Sequence, residues 1–242
     1  MKKLKSLSIF FPTLNDAKIL PYMIYKAYEV GQLVSDTLEI IVINDGSTDE
    51  TPALLKKMQE RYQGLRVITH KQNRGYGGAL ISGFNAARYE WVFYTDGDGQ
   101  YDLSDLPLLV RKASAHIHVV NGYKLSRSDS AVRRFIGHTY NVVLKHIYQF
   151  PISDIDCDFR LIRKEYLDKI NLTSQSGAIC LELVMKLHTA KAQFTKVGVR
   201  HFPRRFGSSQ FFNPIHLYRT AREQSSFLFH SLVLRKGLLS DR

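Results

Sequence analysis

Short apolar runs alternate with longer helical patterns in the first half of the chain. Four runs have the length and the β-branched and aromatic content of buried strands: 7–11, 38–44, 67–70 and 91–95. Three stretches between them carry apolar residues at helical spacing: about 16–30, 51–62 and 78–87. This alternation predicts an α/β fold with a mostly parallel, doubly wound sheet flanked by helices, whose ligands bind beyond the carboxyl ends of the strands.

The second half continues the same pattern less regularly. We predict another strand at 118–122 and a helix from about 133 to 148. Residues 1–210 are therefore predicted to form one domain with two halves, 1–121 and 122–210. From 211 to 242, aromatic and aliphatic side chains are interleaved with Arg and Lys. This segment is predicted to form an amphipathic C-terminal helix, which either lies at a membrane interface or packs on the domain or on a partner chain.

The positive charge of the 242-residue chain is concentrated in its second half. Residues 1–121 hold 14 basic and 13 acidic side chains, whereas residues 122–242 hold 20 and 9, giving a net charge of +12. This asymmetry indicates an anionic partner, namely nucleic acid, an acidic membrane surface or a phosphorylated substrate, or else a solubilising surface. Nucleic acid is disfavoured, because the sequence has no RNP-like motif, zinc-finger spacing or helix-turn-helix signature.

Two further features concern the cellular compartment. No apolar run approaches the roughly 18 residues that span a bilayer, and the first five residues, MKKLK, lead into a strand without a signal-peptide core. These features predict a cytoplasmic protein that reaches a membrane only peripherally. Cys157 and Cys180 show no CxxC spacing, so we expect buried free thiols instead of a disulfide framework or a zinc site.

Polar residues follow three of the predicted strands at the point where each strand ends. The first strand is followed by Asn15 and Asp16, the second by Asp45, and the fourth by Asp96 and Asp98. A carboxylate just past a strand can accept hydrogen bonds from a ribose or a base, and two carboxylates at i and i+2 in a glycine-rich turn can bind a hard divalent cation. Because parallel strands end at one edge of a sheet, we expect these side chains to line one crevice.

The glycine-rich segment 73–80, NRGYGGAL, follows the third predicted strand. Position 80 is Leu, so the GxGxxG dinucleotide fingerprint is absent, and the chain has no GxxxxGK[ST] phosphate loop. The glycines favour either of two interpretations. They allow a helix N-terminus to approach the sugar or phosphates of a ligand, with Arg74 beside Gly75, or they simply form a tight turn.

These motifs, taken in order, resemble those of family 2 glycosyltransferases, and most closely the dolichyl-phosphate mannosyltransferase-like branch. The donor-side motifs are FPTLND at 11–16, VINDGSTD at 42–49, NRG at 73–75 and DGDGQ at 96–100. Two later segments also resemble that branch: DIDCDFRL at 154–161 and HFPRRFGSS at 201–209. The sequence departs from the branch at Asp16, where Glu is commoner, and at Asp158, where relatives often have Gly or Ala.

The resemblance implies a GT-A fold and transfer of a sugar from a nucleotide-diphosphate donor, with inversion at the anomeric carbon. Residues 1–121 would then bind the nucleotide sugar and residues 122–210 the acceptor. The expected donor-binding residues are Pro12, Asn15, Asp45, Arg74, Gly75 and Asp96, with Asp45 on the base. The expected ligands of Mg²⁺ or Mn²⁺ are Asp96, Asp98 and Gln100. Such a cation would neutralise the leaving diphosphate.

The resemblance also turns the charge asymmetry into a specific expectation. In relatives that use polyprenyl phosphate, basic residues of this stretch hold the acceptor phosphate, for which Arg and Lys are suited. The corresponding cluster here is Lys124, Arg127, Arg133 and Arg134. We therefore predict a polyprenyl phosphate acceptor at the cytoplasmic membrane face, with an anionic membrane surface or a membrane protein as a further partner. The alternative is an ordinary solvated helix face.

The nature of the acceptor decides which residues are catalytic. A hydroxyl acceptor needs a carboxylate base, for which Asp156 and Glu182 are the candidates beside the metal ligand Asp98. A phosphate is already ionised and needs positioning instead. Three alternatives therefore remain beside the polyprenyl phosphate transferase: a glycosyltransferase acting on a glycan hydroxyl, a non-catalytic basic binding module, and a catalytically silent scaffold.

Overall fold

The computed structural model describes residues 2–125, 152, 154–204, 206 and 218–227, and the helix expected at 133–148 lies outside them. The strands are β1 (Leu4–Thr13), β2 (Ser35–Asn44), β3 (Leu65–Thr69), β4 (Trp91–Thr95), β5 (Val119–Lys124), β6 (Phe159–Arg163) and β7 (Phe194–Val199). The helices are α1 (Leu20–Val34), α2 (Thr51–Arg61), α3 (Gly75–Ala86), α4 (Leu106–Lys112), α5 (Lys164–Leu167) and α6 (Ile179–Thr189). The predicted alternation of strands and helices in the first half is confirmed.

The strands form one sheet in the order β3-β2-β1-β4-β6-β5-β7. The pairs β1–β2, β1–β4, β2–β3 and β5–β7 are parallel. Strand β6 is antiparallel to both of its neighbours, β4 and β5. The sheet is therefore mostly parallel, as expected, with a single reversed strand among those described.

The core lies on both faces of this sheet, and side chains of the central strands alternate between the faces. On β1, Ile9 and Phe11 face one apolar cluster, which α1, α2 and α4 cover, whereas Phe10 faces the other cluster, covered by α3, α5 and α6. All three side chains are fully buried. Strands covered on both faces explain the near-continuous apolar runs in the sequence.

Helix α1 begins and ends four residues later than the pattern predicts. Pro21 stands in its first turn, where the missing N–H has no helical partner to lose. At the other end, Gly31 lets the helix lie close to β2, since a Cβ there would come within 2.7 Å of the Leu38 side chain. The helix therefore continues through Gly31 to Val34.

The reversed strand β6 determines which segments meet at the carboxyl edge of the sheet. Because β6 runs against β4 and β5, its start at Phe159 lies beside the ends of those two strands. The end of β7 reaches the same edge, since β7 is parallel to β5. There the Arg200 guanidinium pairs with the Asp105 carboxylate, with an Nη2–Oδ1 distance of 2.6 Å. Residues 154–158 and 201–204 are thereby brought next to the ends of β1 and β4.

Two other expectations concern the cysteines and the C-terminal segment. Cys157 and Cys180 are buried free thiols, as predicted, and burial raises the pKa of Cys157 to about 12. Of the segment 211–242, only 218–227 is described, and it is helical. Its Glu223 carboxylate accepts a hydrogen bond from Ser176 Oγ at 2.7 Å. None of the helices within the described ranges is long and apolar enough to cross a membrane.

Candidate active site

The polar residues that follow β1 and β2 form one connected turn. Asn15 adopts a left-handed backbone with φ of 58°. Its side-chain Oδ1 accepts hydrogen bonds from the backbone N–H of Thr48 at 2.8 Å and of Asp49 at 3.3 Å. Its own N–H donates to Ser47 Oγ at 3.0 Å. Asn15 thus ties the end of β1 to the turn after β2, where the sequence predicts donor contacts.

Asp45 is buried at the end of β2 and links three segments. Its backbone N–H donates to the Thr13 carbonyl at 3.0 Å. Its Oδ1 accepts from the Arg74 backbone N–H at 2.8 Å and lies 2.6 Å from His70 Nδ1. The other imidazole nitrogen lies 2.9 Å from Ser82 Oγ on α3. The structure therefore brings the predicted donor residues Asp45 and Arg74 together, with His70 between β3 and α3 as an addition.

The glycine-rich segment packs tightly against the chain before α6. Gly75 has a φ of 82°, and a Cβ there would come within 2.4 Å of the Gln175 carbonyl. At Gly77 a Cβ would come within 2.1 Å of the Ser174 carbonyl, and the Gly77 N–H donates to Gln175 O at 3.1 Å. These glycines therefore allow the backbone at the start of α3 to lie directly against the backbone at 174–175. The first turn of α3 then faces the strand-end crevice.

The acidic pair lies directly after β4. Tyr76 donates its hydroxyl to Asp96 Oδ1 at 2.7 Å, and Asp98 Oδ1 accepts from the Gln100 N–H at 3.0 Å. Burial raises the pKa of Asp96 well above its usual range, and the nearby carboxylates of Asp158 and Asp98 raise it further. Burial also raises the pKa of Asp98. Two carboxylates are thus held where their ionised forms need a counter-charge.

Gln100, the third expected metal ligand, is turned toward the segment after β7. Its Nε2 donates to the Phe202 carbonyl at 3.1 Å, and the Phe202 N–H donates to Gln100 O at 2.8 Å. Within the described part of the chain, no group of three or more His, Cys, Asp or Glu side chains assembles into a metal site. The structure therefore brings two of the expected ligands, Asp96 and Asp98, together after β4, while the Gln100 amide nitrogen is engaged by the Phe202 carbonyl.

Pro12 and Arg204 approach the acidic pair from either side. The Pro12 carbonyl faces Gly97, where a Cβ would come within 2.2 Å of it. Arg204 donates from Nη2 to Asp16 Oδ1 at 2.6 Å, and its Nη1 lies 3.7 Å from Asp98 Oδ2. A cationic side chain from the second half of the chain therefore stands beside Asp98.

Lys124 is the one member of the expected acceptor cluster among the described residues. It lies at the end of β5, with Nζ 5.8 Å from the centroid of the Tyr101 ring. Burial alone would lower its pKa, but the charge of Asp154, followed by other acidic groups of the site, raises it. Lys124 therefore stays cationic at neutral pH. Arg127, Arg133 and Arg134 lie outside the described residues.

Beneath the acidic pair lies a fully buried arginine that sequence reasoning did not single out. Arg160 donates to Asn121 Oδ1, to the Tyr94 hydroxyl at 2.8 Å and to the Ile155 carbonyl at 3.0 Å. Tyr94 in turn donates to Asp158 Oδ1 at 3.1 Å. The sequence shows Arg160 only as part of the motif DIDCDFRL, and its burial depends on partners from β4 and β5.

The two candidate bases differ in their surroundings. The Glu182 side chain is fully buried, and its carboxylate accepts from the N–H groups of Thr173 and Ser174 and from Lys186 Nζ at 2.6 Å. Burial acts to raise the pKa of Glu182, but the hydrogen bonds from Lys186 and Ser174 outweigh it and hold the pKa below the usual value. Asp156 lies partly exposed in the turn before β6. The structure thus places Glu182 as the anchor of the chain at 173–174.

Comparison with known proteins agrees with this architecture. The family model "Glycosyl transferase family 2" matches residues 8–171. An undecaprenyl-phosphate 4-deoxy-4-formamido-L-arabinose transferase from Salmonella choleraesuis is 26% identical over 210 residues, covering 86% of this chain and 63% of the relative. The enzyme of that name from Yersinia enterocolitica is 26% identical over 212 residues, covering 87% and 64%. The chain thus spans just under two thirds of these relatives' length.

Solved structures agree on the fold. Glucosyl-3-phosphoglycerate synthase from Mycobacterium tuberculosis, in complex with Mn²⁺, uridine diphosphate and phosphoglyceric acid, superposes with a TM-score of 0.72 over 93% of this chain and 78% of that one, at 17% identity. Its complex with Mg²⁺ and uridine diphosphate gives 0.70 at 16% identity. This likeness establishes the GT-A fold. Because the family model covers more than half of a chain whose sheet and strand-end motifs agree with it, the chain belongs to glycosyl transferase family 2.

Proposed function

We propose that this chain transfers a sugar from a nucleotide-diphosphate donor to a polyprenyl phosphate at a membrane surface, with inversion at the anomeric carbon. The observation that carries the proposal is the meeting of three kinds of group at one edge of the sheet. Asp45 and the Arg74 backbone lie at the donor end, Asp96 and Asp98 in the middle, and Lys124 at the acceptor end. The names of the relatives, which are undecaprenyl-phosphate transferases, support a lipid phosphate as acceptor.

The donor half of the site is suited to a nucleotide diphosphate. Asp45 has one oxygen engaged by His70 and the Arg74 N–H, and its second oxygen is the one we assign to the base. The Arg74 side chain and the N-terminal turn of α3, which begins at Gly75, supply positive potential for the phosphates. Pro12, near the end of β1, and Asn15, in the turn that follows it, would complete the wall of the pocket.

The residues of the acidic pair fit a divalent cation. Asp96 and Asp98 are oxygen ligands whose ionisation is opposed by burial and by neighbouring carboxylates, so a bound dication would relieve their repulsion. Two carboxylates beside substrate phosphates are the protein contribution that Mg²⁺ usually receives. Asp96 and Asp98 would hold the metal, with Gln100 as a third ligand, and when bound it would neutralise charge on the leaving diphosphate.

The acceptor half needs positioning more than proton transfer. An oxygen of the acceptor phosphate attacks the anomeric carbon from the face opposite the diphosphate. The new bond joins that oxygen to the carbon, and the bond from the carbon to the diphosphate oxygen breaks, its electron pair leaving with the nucleotide diphosphate. Lys124 would hold the phosphate by charge-assisted hydrogen bonds. Arg127, Arg133 and Arg134 would join it, and no base is required.

A hydroxyl acceptor is the second candidate. Such an acceptor needs a base, and the surroundings of the two candidate carboxylates favour Asp156 over Glu182 in that role. Asp156 is partly exposed beside the site, whereas the Glu182 carboxylate is fully enclosed by its partners. In that case Asp156 would take the proton of the hydroxyl as it attacks.

The donor half of the proposal is tested by calorimetric titration of the purified chain with UDP and with GDP, each with and without Mn²⁺. We expect one nucleotide to bind in a manner that depends on Mn²⁺, and Asp98→Asn to remove the metal dependence. The acceptor half is tested by adding undecaprenyl phosphate or undecaprenol to the donor complex. Binding of neither nucleotide would contradict the proposed transferase.

A further inference from the structure

The hydroxyl of Tyr76 contacts a carboxylate of the acidic pair. It donates to Asp96 Oδ1 at 2.7 Å. Tyr76 lies in the first turn of α3, and Asp96 lies immediately after β4. A single side chain of the glycine-rich segment therefore contacts the proposed metal ligand directly.

The position of this phenol is fixed from the backbone. The adjacent Gly77 donates its N–H to Gln175 O, and the backbone of Gly75 and Gly77 packs on the chain at 174–175 without room for a Cβ. Residues 173–174 are in turn held by the buried Glu182 carboxylate. These contacts hold the start of α3 in place and so keep the Tyr76 hydroxyl within hydrogen-bonding distance of Asp96.

Hydrogen bonds from the network around Arg160 hold Asp158 in place. Arg160 is a donor only, so when its Nη1 donates to the Tyr94 oxygen, the Tyr94 proton is directed to Asp158 Oδ1. The Cys180 thiol also donates to Asp158 Oδ1, at 3.3 Å. Asp158, whose charge acts on Asp96, is therefore held in one orientation.

We propose that Tyr76 is a positioning residue for the metal ligand Asp96. Its hydroxyl engages Oδ1 and leaves Oδ2 as the oxygen available to a cation. The inference rests on the proposed function, since it assumes that Asp96 binds the metal. Removal of a hydrogen-bond partner of a metal ligand commonly lowers metal affinity 10–100-fold. Loss of this one hydroxyl is therefore expected to weaken metal affinity more than nucleotide affinity.

The test compares Tyr76→Phe with Tyr28→Phe in the full chain. Tyr28 is a matched control, because it lies on α1, on the face of the sheet opposite α3. Its hydroxyl makes only a weak contact of 3.5 Å with the Gln63 carbonyl. Mn²⁺ affinity is measured from the EPR signal of free Mn²⁺ in the presence of whichever of UDP and GDP binds the wild type. Metal-free nucleotide affinity and the melting temperature are measured alongside.

We expect Tyr76→Phe to weaken Mn²⁺ binding about tenfold, with metal-free nucleotide affinity within about twofold of wild type and Tyr28→Phe unchanged in all three measurements. Mn²⁺ affinity within about twofold of wild type in Tyr76→Phe would overturn the proposal, as would an equal loss of metal-free nucleotide binding, which indicates a general structural defect. If the wild type bound Mn²⁺ with neither nucleotide, the proposed function would fail together with this inference.

A second measurement leaves Tyr76 in place, in case the variant does not fold. The chain has 13 tyrosines, which can be labelled as 3-fluorotyrosine and followed by ¹⁹F NMR. Adding Mg²⁺ to the nucleotide complex is expected to shift one resonance, and the shift is expected to disappear in Asp96→Asn. A spectrum in which no tyrosine resonance responds to Mg²⁺ would overturn the positioning role.

Discussion

The Nδ1 atom of the His70 imidazole lies 2.6 Å from Oδ1 of the Asp45 carboxylate, at the ends of two neighbouring parallel strands. Both side chains are buried. The contact holds the Asp45 carboxylate in one orientation against the imidazole. The contact orients the residue to which we assign the base of the nucleotide.

Replacing His70 by Ala is therefore expected to weaken nucleotide binding about tenfold, since a hydrogen bond to a charged group contributes roughly 1.5–3 kcal/mol. Asp45→Ala should weaken it more, without unfolding the chain. Calorimetric titration with the nucleotide measures both, and His116→Ala, at an exposed position, is the control. Wild-type affinity in Asp45→Ala would refute the placement of the base.

Asp98→Ala is expected to abolish turnover, because the remaining carboxylate of the pair cannot hold the cation beside the diphosphate alone. The exposed Asp36 provides the control variant, Asp36→Ala, which should behave as wild type. Initial rates with added Mn²⁺ and with excess chelator measure the effect. Unchanged activity in chelator, or in Asp98→Ala, would remove the metal role.

Glu182→Gln is expected to lower the free energy of unfolding at neutral pH by about 2 kcal/mol, because the buried carboxylate accepts from Lys186 and from the chain at 173–174. The pKa of Glu182 is lower in the folded chain than its ordinary value. Its stabilisation is therefore complete above the ordinary pKa of Glu and is lost as the pH falls through the folded value.

Urea denaturation between pH 7 and pH 3 checks this prediction. The difference in unfolding free energy between wild type and Glu182→Gln should shrink as the pH falls below about 4.3, the ordinary pKa of Glu. A difference that stays constant over this range would show that the carboxylate charge does not stabilise the chain at 173–174.

Lys124→Ala is expected to raise the KM for polyprenyl phosphate about tenfold and to leave donor binding within about twofold, because Lys124 is the described residue to which we assign the acceptor phosphate. The exposed Lys57 gives the control variant Lys57→Ala. Initial rates at varied acceptor concentration provide the measurement. An effect on donor affinity alone would place Lys124 in the donor pocket.

The first half of the fold is predictable because its strands are long apolar runs that end in polar turns. The strand-end rule places Asp45, Asp96 and Asp98 at one edge without further information. His70 directly follows β3 in the structure. The apolar pattern instead assigns His70 to the strand predicted at 67–70, and the residue belongs to none of the recognised motifs, so the strand-end rule does not point to it.

The second half is less predictable for a physical reason. Strand β6 carries Arg160 at its second position, and an arginine in a short run indicates an exposed strand. Its burial depends on Tyr94 and Asn121, which lie 66 and 39 residues away in the sequence. Sequence periodicity contains no information on such partners, so neither the reversed direction of β6 nor the network beneath Asp96 can be inferred from it.

The central claim, transfer of a sugar to a lipid phosphate, is tested most directly by the linkage in the product. The purified chain is incubated with Mn²⁺, a panel of radiolabelled UDP- and GDP-sugars, and either undecaprenyl phosphate or undecaprenol in detergent. We expect label in an organic-phase product with undecaprenyl phosphate alone. Mild acid should release the label from this product, since a glycosyl phosphodiester is acid-labile. The product should be absent with Asp98→Ala. Label that appears only with hydroxyl acceptors would contradict the proposed reaction.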